Sequence, residues 1–331
     1  MNALVTGGGG FLGRYIVERL LARGDFVRSF GRKAYPELEE LGVDVVRGDL
    51  CDETSVKAAC RGMETVFHVA ALPGIQCQWK PFYETNTLGT TYVINGCIEH
   101  GVKYLIYTSS PSCVFDGRSQ ENINESTPYP TRWLAHYSHS KALAEQAVLK
   151  ANGTPFADSG MKLLTCSLRP HLLWGPRDQQ LIPRLLERAK RGLLVQVGDG
   201  QNRIDQLYVE NAATAHVQAA DALAKHGRNA GKAYFLSQGE PVVCWDWINE
   251  ILERAGQPRV KKRVSFRFAW MAGTAFEIIY KLLGLTSEPE MTRFLAAHLA
   301  FSHYFDISAA RNDFGFNPEI STEIGMERIF K

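Results

Sequence analysis

A doubly wound, parallel α/β fold is predicted by three features of the 331-residue sequence. A glycine-rich turn, Thr6-Gly7-Gly8-Gly9-Gly10-Phe11-Leu12-Gly13, follows a short apolar run at the start of the chain. Strand-like and helix-like segments then alternate through the first half, the pattern of repeated βαβ units. Runs such as Leu105-Ile106-Tyr107 are apolar without alternation, as strands covered on both faces are.

The elements follow in order. Ala3–Thr6 reads as the first strand, and Tyr15–Leu21 has its apolar residues at helical spacing. Phe26–Phe30, Val43–Arg47 and Thr65–Val69 read as strands two to four. A long helix over Phe82–His100 leads into strand Tyr104–Thr108, and a helix over His136–Lys150 leads into strand Lys162–Leu168. Gly175-Pro176 and Gly198-Asp199-Gly200 punctuate a less regular second half. There Ala233–Leu236 reads as a strand returning to the main sheet, and from about Val242 the pattern is mostly helical.

Composition narrows the function. With 45% hydrophobic residues the chain can bury one large core or two. A net charge of +2 without a basic block excludes nucleic acid. The seven cysteines are odd in number and scattered, with no Cys-x-x-Cys, so reduced thiols and a cytoplasmic setting are expected, and no metal. Ala3–Thr6 already reads as strand, so no leader is expected ahead of the fold. Val264–Leu285 is the most apolar late stretch. Arg267, Glu277 and Lys281 break it, which makes a poor membrane span but a fair amphipathic helix, buried or in peripheral membrane contact over 264–285.

The glycine loop carries the first chemistry. Gly7, Gly10 and Gly13 fall on Gly-x-x-Gly-x-x-Gly, with Phe11 and Leu12 opening a helix. Bare backbone there admits a pyrophosphate, and the helix start offers free N–H groups to it, which is the Rossmann dinucleotide arrangement. After strand two an acid would bind the ribose 2′-hydroxyl. Here Phe30-Gly31-Arg32-Lys33 has none, and Arg32, with Lys33, suits a 2′-phosphate instead, so NADP(H) is expected ahead of NAD(H). Asp49, in Gly48-Asp49-Leu50, can accept from the adenine amine, and Ala70 in His68-Val69-Ala70-Ala71 lets the dinucleotide lie against backbone. His68 reads equally as a cofactor-side residue or a satisfied core histidine. The Rossmann domain is therefore 1–172 with 208–238 returning to it, and 173–207 with 239–331 form a smaller, mostly helical substrate-binding region.

Tyr137 and Lys141 stand four apart on one helix face. A tyrosine normally titrates near 10, and a neighbouring ammonium favours its phenolate. Tyr137 would exchange a proton with a carbonyl or alcohol oxygen, and Lys141 would also hold the nicotinamide ribose. Strand five ends in Thr108-Ser109-Ser110-Pro111-Ser112, at the sheet edge where ligands bind. Ser110 is the second donor to that oxygen, with Ser109 and Ser112 as neighbours. Cys113 nearby is a candidate reactive thiol, and Asn86 a candidate for binding backbone or a water near the site.

Along essentially its whole length the chain resembles the extended short-chain dehydrogenase/reductases of the 3β-hydroxysteroid dehydrogenase type. The resemblance rests on Thr6–Gly13, Asp49-Leu50, His68–Ala71, Asn86–Thr90, Tyr107–Ser110, Tyr137–Lys141 and Leu168-Arg169-Pro170. It implies catalytic roles for Ser110, Tyr137 and Lys141, a nicotinamide wall at Pro170–Leu172, and a homodimer through helices near 82–100 and 136–150. Within the family, Arg169–Leu181, Tyr35–Leu38, Gly231–Phe235 and Met291–Leu295 are similar to the 2-alkyl-3-oxoalkanoate reductases of bacterial long-chain olefin biosynthesis. The sterol-4α-carboxylate 3-dehydrogenases share the Arg-Pro-His and Gly-Pro-Arg-Asp elements.

Either relationship implies a small hydrophobic acid or sterol as substrate, with an apolar tunnel and a cation for its carboxylate. Phe266, Phe268, Trp270, Met271, Phe276, Ile278, Ile279 and Leu282 are candidate walls, or ordinary core. Arg203 and Arg293 are candidate carboxylate ligands, each more at home in an ion pair. The leading expectation is NADPH-dependent reduction of a long-chain 2-alkyl-3-oxo acid, with a 3β-hydroxysterol dehydrogenase second. A sugar-nucleotide epimerase or dehydratase fits the apolar C-terminal region poorly. A cofactor-sensing regulator would not need Ser110, Tyr137 and Lys141 together.

Overall fold

The computed structural model describes residues 1–157 and 160–330. Its strands are β1 (Asn2–Thr6), β2 (Phe26–Gly31), β3 (Asp44–Arg47), β4 (Thr65–His68), β5 (Tyr104–Thr108), β6 (Gln120–Ile123), β7 (Leu164–Pro170), β8 (Leu173–Trp174), β9 (Gln196–Val197), β10 (Arg203–Ile204), β11 (Leu207–Tyr208), β12 (Lys232–Leu236), β13 (Val242–Val243), β14 (Arg263–Val264) and β15 (His303–Phe305). Its helices are α1 (Phe11–Ala22), α2 (Pro36–Glu39), α3 (Glu53–Cys60), α4 (Trp79–Phe82), α5 (Gly89–Glu99), α6 (His136–Lys150), α7 (Leu181–Lys190), α8 (Val209–Lys225), α9 (Cys244–Arg254), α10 (Phe266–Leu282), α11 (Arg293–Ala300), α12 (Ser308–Phe314) and α13 (Thr322–Phe330).

Seven parallel strands form the main sheet in the order β12-β7-β5-β4-β1-β2-β3. Strand order reverses between β1 and β4, which opens a crevice at the carboxyl edge. The non-alternating apolar runs have the expected cause. Ala3 and Val5 enter the core beneath α1 and α8, while Leu4 enters the core beneath α3, α5 and α6. Ile106 goes with the first core, and Leu105 and Tyr107 with the second. Period-two side chains thus meet a helix layer on either face, and each strand is apolar throughout. A third core around Trp174, Trp245, Trp247 and Ile251 holds the C-terminal region, where a small sheet, β13-β10-β15-β6, joins the two parts.

Three local outcomes depart from the sequence reading. The helix expected over Phe82–His100 begins at Trp79 and contains a π-helical turn, Tyr83–Leu88. The strand expected from Lys162 begins at Leu164, because Lys162 bridges back to Pro155 instead. Helix α8, rich in alanine and mostly buried, packs against α1, β5 and β7 within the half read as irregular. Among the described residues no helix is long and apolar enough to cross a membrane, and all seven cysteines are free thiols.

Candidate active site

The glycine turn is built by sterics. Gly7 has φ +72°, and its N–H donates to the Phe30 carbonyl at 2.7 Å. A Cβ on Gly13 would stand 2.1 Å from the Gly7 carbonyl oxygen, and one on Gly9 would strike the Tyr35 ring at 2.3 Å. Gly10 caps α1 in extended backbone with no side chain over the helix start, so the first amides face the crevice. This bare cradle fits a dinucleotide pyrophosphate.

Arg32 and Lys33 follow the end of β2, exposed, and neither pairs with a carboxylate among the described residues. Exposed Asp49 follows β3 and accepts from the Cys51 N–H at 2.9 Å, beside buried Leu50. Ala70 lies against Gly7: a Cβ on that glycine would sit 3.1 Å from the Ala70 Cα. Pro170 ends β7, and Leu172 just beyond holds a left-handed φ of +39°, an uncommon state for a leucine.

His68 is the satisfied core histidine. The Thr90 hydroxyl donates to the Asn86 carbonyl (2.6 Å), so its oxygen accepts from His68 Nε2 (2.9 Å). His68 Nδ1 then accepts from the Thr6 hydroxyl (2.8 Å), whose oxygen receives the Val69 and Ala70 N–H groups. The tautomer follows from this network. Burial pushes the His68 imidazole down to about 3, so it stays neutral and, through Thr6, fixes the backbone at Val69 and Ala70.

Asn86 sits in the π-helical turn. Its amide exchanges two hydrogen bonds with the Leu72 backbone and donates to the Ser140 hydroxyl at 3.0 Å. It therefore ties the segment after β4 to the helix that carries Lys141.

Tyr137 lies in the first turn of α6, and Ser110, two residues past β5, sits near its phenol with its own hydroxyl 2.9 Å from that of Ser112. Burial pushes Tyr137 up to about 12, with nearby Ser110 opposing. Lys141 is buried, donates to the Thr108 carbonyl at 2.6 Å and lies 4.2 Å above the Tyr107 ring. Burial pulls its ammonium down to about 7, and Glu145 one turn along opposes that. The sequence argument has the ammonium lowering the phenol, whereas here desolvation dominates both groups. Tyr137 is consequently protonated at neutral pH, the form that donates. Glu145 is fully buried and pairs with Arg169 at 2.7 Å, with Tyr129 and Ser167 donating to it as well. Cys113 is buried against Glu145 and burial raises its thiol, so it is not a reactive thiolate.

A cavity of about 370 Å³ opens on the residues just before Tyr137. Ile75, Trp133, Leu134 and Ile278 give it apolar walls, and Gln76, His136, Glu277, Lys281 and Arg293 give it polar ones. Arg293 is engaged: its Nε and Nη2 each reach the Glu277 carboxylate at 2.7 Å. Arg203 lies outside the cavity lining, donating to the Pro241 carbonyl. Lys281 lines the cavity with no carboxylate partner among the described residues, and Gln76 Oε1 is buried without a hydrogen-bond partner. The sequence reading took Lys281 only as a break in the apolar stretch and did not name Gln76. Thr274, Glu277, Ile278 and Lys281 follow i, i+3, i+4, i+7 spacing, so a helical projection of 264–285 would have shown a partly polar stripe.

Behind this site His171, His298 and His303 cluster, the metal-ligating type of grouping found among the described residues. His303 Nε2 donates to the His298 carbonyl (2.9 Å), and His303 Nδ1 accepts from His171 Nε2 at 2.7 Å. Two nitrogens on one tetrahedral zinc would stand about 3.3 Å apart. The spacing is that of a hydrogen-bonded, neutral pair.

The family described as 3-beta hydroxysteroid dehydrogenase/isomerase matches residues 4–267. A 2-alkyl-3-oxoalkanoate reductase of Shewanella oneidensis is 45% identical over 99% of this chain and 85% of its own length. A sterol-4-alpha-carboxylate 3-dehydrogenase, decarboxylating, of Mus musculus is 33% identical over 98% of this chain and 88% of its own. Among solved structures, the UDP-glucose 4-epimerase of Thermus thermophilus in complex with NAD superimposes with a TM-score of 0.74. It is 24% identical and covers 100% of this chain and 98% of that one, a likeness of fold.

Proposed function

We propose that this chain, which belongs to the 3-beta hydroxysteroid dehydrogenase/isomerase family, reduces the ketone of a long-chain 2-alkyl-3-oxo acid to the 3-hydroxy acid with NADPH. That it is a nicotinamide-dependent oxidoreductase of the extended short-chain dehydrogenase/reductase type follows from the family itself. The observation that carries the substrate class is the cavity ahead of Tyr137, with apolar walls and an unpaired Lys281. That combination suits an amphiphile whose carboxylate meets the ammonium and whose chains lie on Ile75, Trp133 and Ile278.

In this reading Gly7, Gly10, Phe11, Leu12 and Gly13 hold the pyrophosphate, Asp49, Leu50 and Ala70 the adenosine half, Arg32 and Lys33 the 2′-phosphate, and Pro170, Leu172 and Lys141 the nicotinamide riboside. The bound nicotinamide supplies the hydride. Tyr137 donates its phenolic proton to the ketone oxygen, and Ser110 stabilises the charge developing there. Lys141, with an ammonium near 7, gives up a proton toward the phenolate and regains one from solvent at little cost. Residues 1–172 with 208–238 carry the cofactor, and 173–207 with 239–331 shape the substrate side. The chain acts as a homodimer through the helices around 82–100 and 136–150.

The test follows NADPH and NADH absorbance with the purified protein and a synthetic 2-alkyl-3-oxo acid, or its stable 3-hydroxy acid in reverse. Turnover that prefers NADPH is expected. No turnover, together with oxidation of a 3β-hydroxysterol by NAD+, would replace this reading with the one suggested by the 33% identical sterol relative.

A further inference from the structure

Helix α8 turns a histidine toward the sheet. Ala212, Ala213, Ala215, Ala219 and Ala220 are buried along it, and such small side chains let the helix press closely on α1, β5 and β7. His216, 0% exposed, spans the gap. Its tautomer follows from its partners. A backbone carbonyl only accepts, so His216 Nδ1 donates to the Ala212 carbonyl at 2.7 Å. Burial holds the imidazole down at about 4, so it is neutral and Nε2 keeps its lone pair. The Thr108 hydroxyl, 2.8 Å away, therefore donates to Nε2.

Thr108 is the last residue of β5 and meets both helix layers. By strand alternation its side chain shares the Ile106 face, on the α8 side. Its carbonyl accepts from Lys141 Nζ, which reaches in from α6 at 2.6 Å, while the Tyr107 ring lies beneath that ammonium. Among the described residues this carbonyl is the sole hydrogen-bond acceptor of Lys141. The peptide unit that carries it is held on one side by the Ser109 N–H, which donates to the Leu168 carbonyl at 2.6 Å. His216, through the Thr108 hydroxyl, holds the other side.

We propose that His216 is a positioning residue for Lys141. It touches no reacting atom. It fixes the end of β5 from the opposite face of the sheet, and so fixes the one carbonyl that orients the ammonium. Helix α8 thus does more than fill the core. The role in turnover rests on the reductase reading given above, whereas the link from His216 to Lys141 is read without any turnover. The ionisable groups that face Lys141 are Tyr107 on β5, His68 on β4, Cys113 just after β5, and Tyr137 and Glu145 one turn either way on α6. Substitution at His216 changes none of them.

The experiment separates the two ring nitrogens. His216→Asn puts its amide where Nδ1 stands, keeps a donor for Ala212 and falls short of Thr108. His216→Gln reaches the Nε2 position and accepts from Thr108. Thr108→Val removes the same bond from the other end with little change of shape, and Thr108→Ser retains it. Melting curves establish that each variant folds. In the cofactor-free chain the titration of Lys141 is followed through its Cε carbon by NMR, and kcat with NADPH is measured across pH. Losing a steady acceptor disfavours the ammonium, so His216→Asn and Thr108→Val should each move the Lys141 titration about half a pH unit lower. The high-pH fall in kcat should move with it, and kcat should drop about tenfold with KM for the oxo acid unchanged. His216→Gln and Thr108→Ser should stay near the parent, and Thr108→Val combined with His216→Asn should lose no more than either alone. Parental titration and kcat in His216→Asn overturn the proposal, as do equal losses in His216→Asn and His216→Gln. A parent that turns over no ketone removes the reductase reading, and the Lys141 titration then decides for or against His216 by itself.

Discussion

Replacing Arg32 tests the cofactor preference most directly. Arg32 is exposed after β2 and free of ion pairs among the described residues, so its field acts through nearly bulk water. At about 4 Å under those conditions two unit charges attract by roughly 1 kcal/mol. A 2′-phosphate carrying close to two charges brings that to roughly 2 kcal/mol, about 30-fold in kcat/KM. Arg32→Ala should therefore lower kcat/KM for NADPH about 30-fold and leave NADH nearly unchanged. Arg32→Glu adds repulsion of similar size, about 4 kcal/mol or roughly 1,000-fold, and its carboxylate can accept the 2′-hydroxyl of NADH. The assay is steady-state kcat/KM for both cofactors at low and high salt. The NADPH effect should shrink as salt screens an exposed pair. Equal losses for the two cofactors, or none for either, would refute the assignment of Arg32 to the phosphate.

Four other outcomes follow from the site. Tyr137→Phe should cost about 10²–10⁴-fold in turnover while NADPH affinity by fluorescence titration stays unchanged. Burial lowers the Lys141 ammonium from 10.5 to about 7, so the folded chain releases a proton across that window which the unfolded chain keeps. The group's contribution to stability therefore rises with pH between those values, and its burial penalty is fullest below pH 7. Lys141→Met should melt above the parent at pH 6, by roughly 1–3 kcal/mol, with the gap closing by about pH 10; a gap independent of pH contradicts this. Arg169→Met leaves Glu145 buried and unpaired, and the urea midpoint should fall by the equivalent of about 3–5 kcal/mol, part of which Glu145→Leu restores. Lys281→Ala should raise KM for the acid about tenfold and spare a neutral ester of it, and an equal effect on both would remove Lys281 from carboxylate binding.

Local chemistry settled much of this molecule in advance. The glycine turn, the order of β1 to β5 and the spacing of Tyr137 to Lys141 depend on residues close in sequence, through sterics, side-chain period and helix pitch. They could be read before any fold was known. Long-range packing decided the rest. Whether His68 was a core residue turned on Thr6 and Thr90, on two other elements. Arg293 read as more at home in an ion pair than on a carboxylate substrate, and only the packing named its partner, Glu277, 16 residues back on α10. Both Tyr137 and Lys141 are moved by burial, and burial belongs to the assembled sheet and helices rather than to their spacing. The stretch 264–285 gives the clearest contrast. Its composition fixed that it would be an amphipathic helix, but only the seat of Gly273 on Thr292 decided which stripe lines the cavity and which faces out. A sequence states which side chains share a helix face, and only the packing partner determines which face is turned inward.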